Sequence, residues 1–238
     1  MSVATLDLFA GAGGLSLGAA AAGLAPVAAV EFNHDACETY KMGHPQTIVM
    51  EQDIRCTDFR PFAGAVDVVI GGPPCQPFSM GGKRLATEDP RNGIPQFLRA
   101  IAEISPRAFI LENVPGLAKG EPMAYLGHVL SELEQGGYLV SWQVLRAVDF
   151  GVPQKRQRLF VVGLRSDIGD GRPFVFPEAT HGPSCDVSHA SAGAFLTATQ
   201  PVGELNSSIV TYWVCPISVG SSPAADRSMT VWCLTRAT

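Results

Sequence analysis

Positive charge is scarce in this sequence: 17 Lys and Arg stand against 22 Asp and Glu, a formal net charge of −5. That balance excludes a protein that holds nucleic acid by bulk positive charge, although it leaves room for a local basic groove. Charge of either sign is sparse too, at 16% of residues against 46% hydrophobic ones, which rules out disorder for the chain as a whole. The six cysteines, at positions 37, 56, 75, 185, 215 and 233, lack any C-x-x-C spacing, so neither a zinc site nor a disulfide framework is indicated. Long apolar runs are missing as well. The least polar stretch, Leu17 to Val30, is broken by Gly23 and Pro26 and is too short to span a bilayer. No basic residue precedes Lys41, and Asp7 occupies the place of a positive leader segment, so the expectation is a cytoplasmic protein without membrane association. Internal repeats are not found.

What is present is length and rhythm. A chain of 238 residues holds one ordinary domain and part of a second. Ala4 to Phe9 reads as a strand running into Gly11-Ala12-Gly13-Gly14, followed by a helix over Leu15 to Ala22, a stop at Gly23, and a second strand, Val27 to Val30, ending at Glu31. Strand, glycine turn, helix, strand and acid form the opening unit of a doubly wound, Rossmann-like α/β domain. Further strands are predicted at Val66 to Ile70, Ala108 to Leu111, Leu139 to Leu145 and Leu159 to Leu164. Helical patterns lie between them at Asp35 to Lys41, Gln96 to Ile104 and Ala124 to Gln135. This alternation predicts a mainly parallel sheet with functional loops at the carboxyl ends of its strands. Past about Thr180 the helix–strand alternation stops, and an irregular tail rich in Ser and Thr is expected. The domain boundaries read as 1–180 and 181–238.

Four segments carry chemistry. A glycine turn lets backbone approach a ligand closely, and Glu31 stands where an acid accepts both ribose hydroxyls of a nucleoside; a tight ligand-free connection is the plainer reading. No Lys-Ser/Thr pair follows the glycines, so a triphosphate loop is disfavoured. Cys75, in Gly71-Gly72-Pro73-Pro74-Cys75, follows an apolar strand directly and is either a buried thiol or a nucleophile on a constrained loop. Glu112 ends another strand, as a loop cap or a general acid. Gln154-Lys155-Arg156-Gln157-Arg158 sets Arg156 and Arg158 on one face of an extended segment, where they are a solvated charge run or hold a phosphate or a carboxylate.

In this order and spacing, Asp7-Leu8-Phe9-Ala10-Gly11-Ala12-Gly13-Gly14, Pro73-Pro74-Cys75-Gln76, Glu112-Asn113-Val114 and Gln154-Lys155-Arg156-Gln157-Arg158 resemble the DNA (cytosine-5)-methyltransferase family over about the first 165 residues. Phe174-Val175-Phe176-Pro177 and Thr180-His181-Gly182-Pro183 resemble the segment that follows the catalytic domain in bacterial members. The resemblance implies an S-adenosylmethionine-dependent methyltransferase acting on double-stranded DNA, without a metal. It implies a cofactor pocket shaped by Phe9, Gly11 and Gly13, with Glu31 on the ribose, Asp53 and Ile54 on the adenine, and Pro74 and Phe97 nearby. It further implies Cys75 as the nucleophile, Glu112 as the acid, Arg156 and Arg158 steadying the site, and Gln76, Ser79 and Arg91 at the flipped-out base and its backbone.

Family members are longer and end in a target-recognition domain and a closing helix, neither of which is recognisable after Thr180. Three arrangements account for this: a truncated product, one half of an enzyme completed by a second polypeptide, or an unusually small recognition element. A tRNA cytosine-5 methyltransferase of the same architecture and an inactive cofactor-binding remnant are the alternative functions.

Overall fold

The computed structural model describes residues 2–75, 91–168 and 171–181, together with the backbone of two strands at 210–218 and 228–236. Among the described residues, nine strands and four α-helices follow one another: β1 (Val3–Leu8), α1 (Gly14–Ala21), β2 (Leu24–Glu31), α2 (His34–Gly43), β3 (Ile48–Glu51), β4 (Val68–Gly71), α3 (Ile94–Ile104), β5 (Ala108–Asn113), α4 (Pro122–Gln135), β6 (Tyr138–Arg146), β7 (Gln157–Arg165), β8 (Val210–Ser218) and β9 (Ser228–Arg236). Seven strands form one sheet in the order β3-β2-β1-β4-β5-β7-β6, with β7 antiparallel to both neighbours and the others parallel.

Alternation along the central strands sets the two layers. On β4, Val69 joins the core made with α3 and α4, where Phe97, Ile101, Leu126 and Leu133 are buried. Its neighbours Val68 and Ile70 point the other way, to the core made with Leu15 and Ala19 of α1. A strand buried on both faces is a continuous apolar run, and Val68-Val69-Ile70 is one.

Most boundaries agree with the sequence reading to within a few residues; three features depart from it. β2 begins at Leu24 rather than Val27 and takes in Pro26, where the β1–β2 register slips between Thr5 and Leu6. Pro26 has no N–H for the ladder, so the strand bulges instead of ending. β3 is an additional strand, a four-residue edge element with both end residues exposed and too short to show periodicity. The tail beyond Thr180, expected to be irregular, contains the antiparallel hairpin β8–β9, paired from Val210↔Arg236 to Ser218↔Ser228. Among the described residues no helix is long and apolar enough to cross a membrane.

Candidate active site

The carboxyl ends of β1, β2, β4 and β5 bring the chemically marked residues to one edge of the sheet. After β1, Phe9 takes a left-handed φ of 56°, a conformation that costs a non-glycine residue on the order of 1 kcal/mol. Gly11 follows at φ 54°, and no atom lies within 4 Å of where its Cβ would stand, so the turn presents bare backbone to open space. Its N–H donates to Glu31 Oε2 at 2.8 Å, while Glu31 Oε1 takes the N–H groups of Phe32 and Asn33, each at 2.9 Å. Three backbone donors thus set the direction of this carboxylate and leave one lone pair, on Oε2, for a further donor such as a hydroxyl. Phe32 beside it is 75% exposed, a flat apolar face at the rim that the sequence reading passed over; its signal was an aromatic directly after a strand-end acid.

The turn is braced from behind by α2. Gly13, at φ 88°, has no room for a Cβ, which would stand 2.8 Å from both Tyr40 and His44. His44 Nε2 donates to the Gly13 carbonyl at 3.0 Å. The Tyr40 hydroxyl donates to Ser16 Oγ at 2.6 Å, and Ser16 Oγ donates to Asp7 Oδ2 at 2.7 Å. Asp7 is buried, and desolvation pushes its carboxyl up to about 7 against the pull of the Ser16 hydrogen bonds.

At the neighbouring strand end, Asp53 caps the 3-10 turn Ile54–Cys56 by accepting the Arg55 N–H at 2.9 Å, and hydrogen bonds from Arg55 hold its carboxyl down at about 2. The Gln52 N–H donates to the Glu31 carbonyl at 2.9 Å, which ties this segment to the end of β2. Ile54 is buried. Phe97 is fully buried on α3, edge-on to Phe109 and against Gly71, so it stands behind the strand ends rather than at the rim.

Beyond Gly71 the chain leaves the sheet through Gly72-Pro73-Pro74 to Cys75. Pro73 and Pro74 offer no N–H groups, and their carbonyls are the anchors: Pro73 O accepts Asn113 Nδ2 at 3.1 Å, and Pro74 O accepts the Gly93 N–H at 2.9 Å. The Cys75 thiol is buried, and desolvation pushes it up to about 11. Glu112 is the penultimate residue of the adjacent β5; a Cβ on Gly72 would stand 3.2 Å from its Oε2, so this glycine keeps the thiol-bearing turn and the carboxylate close. Arg158 on β7 pairs with Glu112 through Nε at 2.7 Å. Burial raises the Glu112 carboxyl, while the charges of Arg158 and Arg156 pull it back. Arg91 is exposed near the start of α3. Gln76 and Ser79 lie outside the described residues. The exposed side chains of His34, Glu38 and Glu51 bring three ligand-type atoms within 4.8 Å, but Lys41 already pairs with Glu38 there.

The braced glycine turn, the Glu31 carboxylate, the Cys75 thiol and Glu112 thus meet at the carboxyl ends of adjacent parallel strands of an α/β sheet, the edge at which this architecture binds ligands. The comparisons with known proteins are specific. A family model for C-5 cytosine-specific DNA methylases matches residues 3–207. The type II methyltransferase M.AquIA of Picosynechococcus sp. is 41% identical over 195 residues, covering 75% of this chain and 77% of that protein. M.Eco47II of Escherichia coli is 40% identical over 178 residues, covering 73% of this chain and 42% of that one. Among solved structures, Spodoptera frugiperda DNMT2, in a triple-mutant form, superposes with a TM-score of 0.60 at 27% identity, covering 70% of this chain and 51% of the other. The chain belongs to the C-5 cytosine-specific DNA methylase family. It spans about half the length of several of these relatives, so their remaining segments have no counterpart in the match.

Proposed function

We propose that this chain carries the catalytic half of a DNA cytosine-5 methyltransferase that uses S-adenosylmethionine. The observation that carries the reading is the adjacency of Cys75 and the Arg158-paired Glu112 on neighbouring strand ends, in line with the braced turn of Phe9, Gly11 and Gly13. The residues at that turn fit the cofactor: bare backbone at Gly11, a pre-aligned acid at Glu31 for the ribose, and the exposed ring of Phe32 with Asp53 and Ile54 at the adenine end. The bound cofactor supplies an electrophilic methyl group.

C5 of cytosine is a poor nucleophile. Attack of the Cys75 thiolate at C6 forms a C–S bond, and a proton from Glu112 to N3 accommodates the electron pair, leaving an enamine whose C5 takes the methyl group. Transfer of the C5 proton to water, expulsion of Cys75 as thiolate and return of the N3 proton to Glu112 restore the aromatic ring. Desolvation suits Glu112 to this task because it keeps the acid form within reach, while Arg158 holds the carboxyl's orientation. The target ring is stacked inside a duplex, so it is flipped out for the thiol to reach C6, with Gln76, Ser79 and Arg91 as the residues assigned to hold it. Reading of the DNA sequence falls to segments after Thr180 or to a complementing second polypeptide, in keeping with the unmatched half of M.Eco47II.

Methyl transfer from tritiated cofactor to duplex DNA, with tRNA as the competing acceptor, tests the reading. Cys75→Ser is expected to abolish transfer while calorimetry still registers cofactor binding. Transfer that survives this substitution overturns the nucleophile assignment.

A further inference from the structure

We propose that Tyr125 and Asn92 form a positioning pair that holds Cys75 in its buried attack pose. This rests on the reading of Cys75 as the nucleophile. Cys75 pairs with Asn92 in an isolated antiparallel bridge, which brings the backbone at the start of α3 against the thiol-bearing turn. The adjoining Gly93 N–H to Pro74 carbonyl bond, at 2.9 Å, continues that contact. Gly93 packs so closely that a Cβ there would stand 2.6 Å from Pro74 and 2.8 Å from the Phe9 ring.

The Asn92 side chain is buried and works in two directions. Its Oδ1 accepts the Ile94 N–H at 3.2 Å, in the first turn of α3, and its Nδ2 donates to the Tyr125 hydroxyl at 2.8 Å. Tyr125 in turn belongs to α4, which is anchored in the core by the adjacent Leu126 and by Val129 one turn on. A path of hydrogen bonds therefore runs from a rigid helix to the residue paired with the nucleophile. The Tyr125 phenol and the Cys75 thiol also share one desolvated region: burial raises the phenol, and a charge on Cys75 raises it further. A cysteine side chain has a single rotor, so the direction of Sγ is set by the backbone that carries it, and misplacement of a reacting atom by about 1 Å costs on the order of 100-fold in rate. Tyr125 acts through Asn92 on that backbone.

The test uses haloacetamide alkylation of the full chain at pH 8, with each cysteine followed separately by peptide mass spectrometry. Cys56 is exposed and gives the reference rate, and buried Cys37 reports general loosening. Tyr125→Phe keeps the ring and removes the hydroxyl; it is expected to speed alkylation of Cys75 about fivefold to tenfold, the equivalent of one hydrogen bond, with Cys37 unchanged. Asn92→Ala is expected to do at least as much, and the double variant to react no faster than Asn92→Ala alone. The cofactor dissociation constant is expected to stay within about twofold, since the glycine turn is held by Glu31, Tyr40 and His44. An unchanged Cys75 rate in Tyr125→Phe, a Cys37 rate that rises in step with it, or an additive double variant overturns the proposal. Failure of the nucleophile reading is seen separately, as transfer by Cys75→Ser.

Discussion

Two buried acids show how strongly environment sets the behaviour of a residue here. Asp7 in the folded protein holds its proton up to about pH 7, whereas an ordinary aspartate releases it near 3.8. The folded state therefore binds more protons between those values, and stability falls as pH rises from about 4 to 7. Asp7→Asn is expected to flatten that part of a melting-temperature-against-pH profile and to stabilise the protein at pH 8 by on the order of 2 kcal/mol; an unchanged slope sinks the attribution. The exposed Asp53–Arg55 and Asp58–Arg60 pairs act with the opposite sign in a lower window, because their carboxyls are held at about 2 and lose the pairing only as pH falls below 4. Cys75 follows the same logic as Asp7. With its thiol pushed up to about 11, the rate of Cys75 alkylation in the chain without DNA is expected to climb with pH and to show no plateau below about 10.

Among the elements, β7 does the most to assemble the site, and its role is the least readable in the sequence. It enters antiparallel between β5 and β6, setting Arg158 beside Glu112 and Gly163 opposite Phe109. The sequence reading placed a strand at Leu159 to Leu164 and a basic segment before it, yet nothing local reports strand direction or partner. Gly163 marks the consequence: a Cβ there would lie 2.0 Å from the Phe109 ring, which itself packs edge-on to Phe97 and Tyr138. Gly163→Ala is expected to destabilise the protein by about 2–3 kcal/mol in urea unfolding, through displacement of that ring. The neighbouring parallel strands were far more legible, because each is a short apolar run ending in a chemically distinctive loop.

At the scale of the molecule, cofactor binding and stability are linked. If Glu31 and the glycine turn hold S-adenosylmethionine, a hundredfold excess over its dissociation constant is expected to add about 2.7 kcal/mol of stability, roughly 5–10 °C in melting temperature for a chain of this size. Glu31→Gln should remove most of that shift; the full shift in this variant excludes Glu31 as a ligand. The net charge of −5 sets a companion expectation, that the chain alone holds mixed-sequence duplex DNA weakly and loses it with modest salt.

What the sequence determined by itself is local: periodicity that separates strand from helix, a glycine turn after the first strand, and the order in which Glu31, Cys75 and Glu112 arrive at strand ends. These survive in a linear reading because a parallel α/β sheet delivers every strand's carboxyl end to the same edge. The tertiary structure alone decided what crosses between elements. It set the Arg158–Glu112 pair, the brace of Tyr40 and His44 behind Gly13, and the link from Tyr125 through Asn92 to Cys75. Each depends on strand pairing and helix placement over tens of residues, and side-chain pattern within one element carries no information about the partner it will meet.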